Sequence, residues 1–437
     1  MKKAVLIIFC IFLLSCTNPS DNQLETVLTE DTLQETQISK NQSGSGQVSD
    51  NYVGNHEDRS KFWSPLYTEL AGCEEKEVTF TNSPLDINAI IAVEPQGELT
   101  DRVAGHIIPG DHIGFQYLAE KKYPVYAIGD AVLKRVERNM NYFGLKGKNI
   151  KNYHLYFEYS CSMFGSYVHV TELAPELLTA DAKLQELDAM AEPEDTNRNI
   201  NVKIPVKAGQ VLGFTEGYGL LGMLTVDKEK TLTGFVSPQL YESEPWKIHS
   251  VPPFEYFIEP VQSQLMAKNP RKIEPRGGKI DFDLDGKLVG NWFKKGTTSK
   301  GEVTQPYCGD YLCPYWDTHL AFVYDFIDPT QTRVSLGYDS GISVNGPYGI
   351  KGNTPDPKNI AIENGLVKLE LVAVEDIGEE FNYVTRGKPL YTKSSNTVVG
   401  TMLVQMQDAR SIKIEVFPDK TAAQVSGFTE KARLYER

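Results

Sequence analysis

A mainly β protein with two folded domains and one inserted helix is expected for these 437 residues. Three observations lead there. Short runs of β-branched and aromatic residues recur from residue 78 onward, separated by Gly, Pro and Asn, as in strands joined by turns. Only one stretch, Pro175 to Glu192, holds a clear helical spacing of apolar residues. Asp285-Gly286 stands between two short apolar alternations, the pattern of a tight hairpin.

The elements are expected in the following order. Val78 to Phe80, Tyr123 to Ala127, Tyr153 to Tyr159 and Tyr167 to Val170 read as strands. The helix follows, with Pro175 in its first turn and Leu177, Leu178, Leu184, Leu187 and Met190 roughly on one face. Glu192 to Asn201 is a polar loop. A second domain, β-rich, begins near Ile273. It opens on the hairpin Lys279 to Val289 and continues with strands at Leu320 to Tyr324, Leu366 to Val374, Val398 to Met406 and Ile412 to Val416. No repeat of fixed period is present.

Ahead of these elements lies a leader. Lys2 and Lys3 precede an apolar run, Ala4 to Leu14, of eleven residues, too short to anchor a chain across a bilayer. It ends in Leu13-Leu14-Ser15-Cys16, which resembles the lipobox of bacterial lipoproteins. The resemblance implies cleavage before Cys16, lipid (palmitate among its acyl chains) on that sulfur, and a protein tethered to a membrane outside the cytoplasm, at the outer membrane or cell surface. Thr17 to Ser60 is polar and acidic with few large apolar residues. Such a segment buries too little surface to offset its ordering entropy and is expected to be a disordered tether. The organisation expected is therefore 1–16 signal peptide, 17–60 tether, 61–272 first β domain and 273–437 second β domain.

Charge narrows the partners. With 44 basic and 58 acidic residues the net charge is −14, which disfavours nucleic acid. Cys73, Cys161, Cys308 and Cys313 remain once the leader is removed and Cys16 is lipidated. Cys308 and Cys313 are close enough to close a small loop and are the expected disulfide, ahead of free thiols or a metal site; a Cys73 pairing with Cys161 is a second, weaker expectation. Asp281, Asp283, Asp285 and Gly286 imitate the start of a calcium loop, but the twelfth position is Trp292 where a bidentate Glu is needed. Neither a Gly-x-Ser-x-Gly elbow nor a P-loop occurs.

Three segments, in order, carry a resemblance to a known family. They are Gly105-His-Ile-Ile-Pro-Gly-Asp-His-Ile-Gly-Phe115 with Pro124-Val-Tyr-Ala-Ile-Gly-Asp130, then Ser166-Tyr-Val-His-Val-Thr-Glu-Leu173, then Val206-Lys-Ala-Gly-Gln-Val-Leu-Gly213. Together they resemble the M23 (lysostaphin, LytM-like) zinc peptidase domain, of duplicated-hybrid-motif type, across residues 78 to 262. The resemblance implies His106 and Asp111 as zinc ligands, with the adjacent His112 a further candidate. It implies His169 as the residue that activates water or stabilises the developing oxyanion. A catalytic zinc needs about three protein ligands and an open position.

Two features depart from the family. His106 and Asp111 are separated by four residues where the family has three, a change that alters side-chain facing unless a bulge absorbs it. The closing His-x-His is missing after the Val206 to Gly213 turn; Leu224 to Val226 would occupy that strand, and no histidine lies in Gly217 to Asp227. Thr318-His-Leu-Ala-Phe322 imitates half of that motif about a hundred residues later, in the second domain. Three functions remain compatible with these residues. First is a non-catalytic envelope lipoprotein that binds peptidoglycan or an envelope partner through a degenerate M23-like domain. Second is a zinc-dependent endopeptidase of cell-wall peptides. Third is a purely structural surface lipoprotein.

Overall fold

A chain of short antiparallel strands dominates the computed structural model, which describes residues 73, 75–100, 106–143, 149–190, 198–299, 305–308, 311–313, 318–344, 346–376 and 391–437. All of these belong to one compact unit, Val53–Arg437. The leader, Cys16 and the expected tether lie outside the described residues, and so do the side chains of Cys308 and Cys313. Mainly β architecture is observed, as the alternation of apolar residues requires.

The first half of the unit contributes ten strands: β1 (Ala92–Glu94), β2 (Ile113–Gln116), β3 (Tyr123–Tyr126), β4 (Ala131–Phe143), β5 (Asn149–Glu158), β6 (Met163–Val170), β7 (Glu172–Leu173), β8 (Arg198–Val206), β9 (Val211–Thr215) and β10 (Leu220–Asp227). Seven of them form one sheet in the order β1-β2-β10-β6-β5-β4-β8, and β3-β9-β7 form a smaller one. Both sheets are antiparallel throughout. One face of the large sheet, with Leu133, Leu155, Phe157 and Tyr167, shares a core with Val125 and Leu212 of the small sheet and with Leu177, Leu184 and Leu187. Burying each such side chain contributes roughly 1.5–3 kcal/mol.

The single helix expected at Pro175 to Glu192 is two helices, α1 (Pro175–Ala180) and α2 (Ala182–Ala189). Asp181 divides them. Its backbone is extended, and its carboxylate accepts from Lys183 N–H at 2.9 Å, so it caps the second helix instead of continuing the first. A third helix, α3 (Val261–Lys268), adds Leu265 to the same core. Val78 to Phe80, expected as a strand, forms only an isolated bridge from Phe80 to Phe257.

The second half supplies β11 (Gly290–Lys294), β12 (Gln305–Cys308), β13 (Tyr311–Cys313), β14 (His319–Tyr324), β15 (Thr332–Leu336), β16 (Gly349–Ile350), β17 (Leu366–Asp376), β18 (Thr392–Asp408), β19 (Ser411–Pro418) and β20 (Arg433–Glu436). Strands β12 and β13 pair with each other. The other eight form one sheet in the order β15-β14-β11-β20-β19-β18-β17-β16. Val334 and Tyr348 form an antiparallel bridge between its two ends, so the sheet closes on itself as an up-and-down barrel. Alternation sorts the side chains. Trp292, Leu320, Phe322, Met402, Val404 and Ile414 fill the interior. Phe293, Ala321 and Val323 point outward and join Ile108, Phe235 and Tyr241 in a separate apolar cluster, which seals the barrel wall against the first half.

The hairpin expected at Lys279 to Val289 is only a turn. Gly286 adopts φ 72° and Lys287 N–H bonds to Leu284 O at 3.0 Å, but the flanking residues do not pair. The aspartates there tie segments together. Asp281 accepts from Gly234 N–H at 2.8 Å, and Asp283 accepts from Asn291 N–H at 2.8 Å and Val236 N–H at 3.2 Å.

Candidate functional site

Four of the seven histidines gather at the large sheet. His112 directly precedes β2, and His106 lies in the turn before it. Their rings meet edge to face with centroids 5.0 Å apart. His169 lies on β6 and His154 on the adjacent β5, with ring centroids 6.2 Å apart. Burial, then the nearness of His154, His112 and His106, holds the His169 imidazole well below its ordinary pKa, so it is neutral at neutral pH.

Backbone geometry explains how His169 reaches this cluster. Between Tyr153 and Leu155 the pairing of β5 with β6 shifts register, and His169 sits there at φ 70°. That left-handed conformation is uncommon for a residue with a Cβ. The bulge stacks its ring on Tyr218 at a centroid distance of 3.8 Å. Tyr218 is itself held between Gly217 (φ 76°) and Gly219 (φ 83°), whose positive φ angles shape the turn into β10. Asn139 Nδ2 lies 2.8 Å from His154 Nε2. The result is a face of imidazole, phenol and amide groups.

Asp111 is committed elsewhere. Its Oδ2 accepts from Trp246 Nε1–H at 3.0 Å and lies 3.5 Å from Lys247 Nζ, while Oδ1 lies 3.4 Å from His112 Nδ1. Burial opposes its ionisation, yet Lys247, His112 and Trp246 together hold the carboxyl well below the usual carboxylate range. Trp246 and Lys247 arrive on a short 3₁₀ turn, Pro245–His249. The Trp246 indole packs on Tyr156, Phe164, Leu224 and Val226 of the large sheet. Nothing in the sequence linked this turn to Asp111, because the two lie 135 residues apart.

The expected zinc ligands are not gathered as a set of three among the described residues. His106 and His112 are neighbours, but the carboxylate between them is occupied by an indole and an ammonium. Among the described residues, no three His, Cys, Asp or Glu side chains are grouped as metal ligands would be. The strand expected to carry the missing His-x-His is β10, which lies between β2 and β6 and so beside both histidine-bearing segments. His319, the other candidate for that motif, is buried in the barrel wall with its ring 5.1 Å from Phe293. Burial, then Lys247, lowers its pKa to about 3.

Cys73 and Cys161 form a disulfide, the weaker of the two pairings expected. It joins the start of the described chain to the turn between β5 and β6. Among the described residues no helix is long and apolar enough to cross a membrane. The fold and site define a mainly β protein in which a histidine-bearing antiparallel sheet is joined to a closed eight-stranded barrel. No family model matches the chain, and no curated protein matches it.

Proposed function

We propose that this chain is a lipid-anchored protein of the bacterial envelope that binds peptidoglycan on the histidine face of its first sheet and does not cut it. The carrying observation is the engagement of Asp111 Oδ2 by Trp246 and Lys247, which sets a fixed positive charge beside the carboxylate a peptidase of M23 type would give to zinc. Placement of the resembling segments supports kinship with that domain. His112 leads into β2 and His169 lies on β6, both next to β10, and the segments around Pro124 and Gly213 pair as β3 with β9. The neutral His169 imidazole, the Tyr218 phenol and the Asn139 amide suit a ligand rich in amides and hydroxyls, as peptide stems and glycan strands are.

The test is co-sedimentation of the unit Val53–Arg437 with purified sacculi, with muropeptide release and bound zinc measured on the same preparation. Pelleting without release and without stoichiometric zinc is expected. Zinc that disappears in His106→Ala, together with released muropeptides, would establish the endopeptidase instead. Failure to pellet would leave an envelope protein partner or a structural surface role.

A further inference from the structure

Lys247 is buried, although lysine is among the residues least often found inside. An unpaired buried ammonium is costly, and this one has two carboxylates beside it. Nζ lies 3.5 Å from Asp111 Oδ2 and 3.7 Å from Glu244 Oε2. Its turn is held from both sides. Trp246 is packed into the apolar cluster on the large sheet. Ser243 Oγ lies 2.5 Å from Ser299 Oγ, and Ser299 N–H donates to Leu240 O at 2.8 Å, which fastens the preceding segment to the loop after β11. These contacts hold the backbone of the turn in place beside Asp111.

We infer that the Lys247 ammonium is the resident cation of this site, giving Asp111 the positive charge that a divalent metal ion would otherwise supply. The comparison with a metal rests on the M23-like reading proposed above, whereas the ion pair stands on its own geometry. A carboxylate already neutralised by a fixed ammonium gains little from a metal ion. A metal entering beside that ammonium would meet like charge at close range. The chain thus carries a lysine, on the turn Pro245–His249, as the source of charge beside Asp111.

Two measurements on Val53–Arg437 test this. Zinc chloride titrated calorimetrically into the wild type is expected to give no binding; one zinc bound per chain overturns the inference. Urea unfolding of Lys247→Met, Asp111→Asn and the double variant is expected to be non-additive. The double variant should recover most of the midpoint lost by Lys247→Met, because removing both charges leaves neither stranded. Additive losses overturn the inference. If Lys247→Met does not fold, the zinc titration on the wild type still decides. Sacculus binding enters neither measurement, so the proposed function and this inference can fail separately.

Discussion

Val334 and Tyr348 exchange two backbone hydrogen bonds, each 2.8 Å, and through them the first and last strands of an eight-stranded sheet meet. A closed sheet leaves no row of unpaired N–H and C=O groups to recruit another chain. Closure also creates an interior that side chains must fill. Trp292 is the largest of the fully buried side chains, with its Nε1–H donating to Leu288 O at 2.8 Å and the Arg437 guanidinium 4.1 Å above its ring.

Trp292→Ala is therefore expected to destabilise the protein by about 3–5 kcal/mol, combining lost burial with the cavity left behind. Urea unfolding followed by tyrosine fluorescence measures it. A loss under about 1 kcal/mol would mean that the barrel collapses freely around the gap.

Stability should fall as pH rises from 4 to 6 through Asp283. Burial pushes its carboxyl up to about 6 despite Arg437 and the N–H groups of Asn291 and Val236. The folded state then holds a proton that the unfolded chain has already released above its pKa of 3.8. Stability from this group is full below 3.8 and is lost through about pH 6. Asp283→Asn should remove a fall on the order of 3 kcal/mol from the pH profile of the unfolding free energy in urea. An unchanged profile would exclude Asp283 as its source.

The Cys73–Cys161 disulfide closes a span of 88 residues. Cys73→Ala with Cys161→Ala is expected to cost about 2–4 kcal/mol, chiefly by freeing the unfolded chain. Thermal melting of the oxidised, reduced and double-variant proteins checks this. The reduced protein and the variant should melt together, below the oxidised form.

At His169 the backbone demands φ 70°. Asn tolerates that region and a β-branched residue does not, so His169→Val should be less stable than His169→Asn by about 1–3 kcal/mol. Equal urea midpoints would show that the bulge rearranges.

Lipid attachment at Cys16 predicts that Cys16→Ser releases the protein from the membrane fraction of cells expressing the full chain. Retention of the variant in that fraction would refute the anchor.

Much of the fold was legible because strand alternation is a local property. Residues 320 to 324, 366 to 374, 398 to 406 and 412 to 416 all fall within observed strands, and 153 to 159 does so except for its last residue. Misreadings arose where one residue redirected the chain or where tertiary partners decided. Asp181 split a helix by capping its second part, and Asp283 turned an expected hairpin flank toward Val236 and Asn291. Of the candidate site, the sequence marked His106, Asp111, His112 and His169 one by one. His154 stands in no motif, and only the pairing of β5 with β6 makes it a neighbour of His169.

Local order along the chain determined the mainly β class, the positions of most strands and the resemblance that singled out the histidines, because periodicity and short motifs need no distant partner. Tertiary structure alone decided that the second sheet closes, that Cys73 meets Cys161, and that Trp246 and Lys247 occupy Asp111. Each of these contacts joins residues far apart in sequence, whose approach depends on how whole sheets pack and leaves no trace in the spacing of either segment.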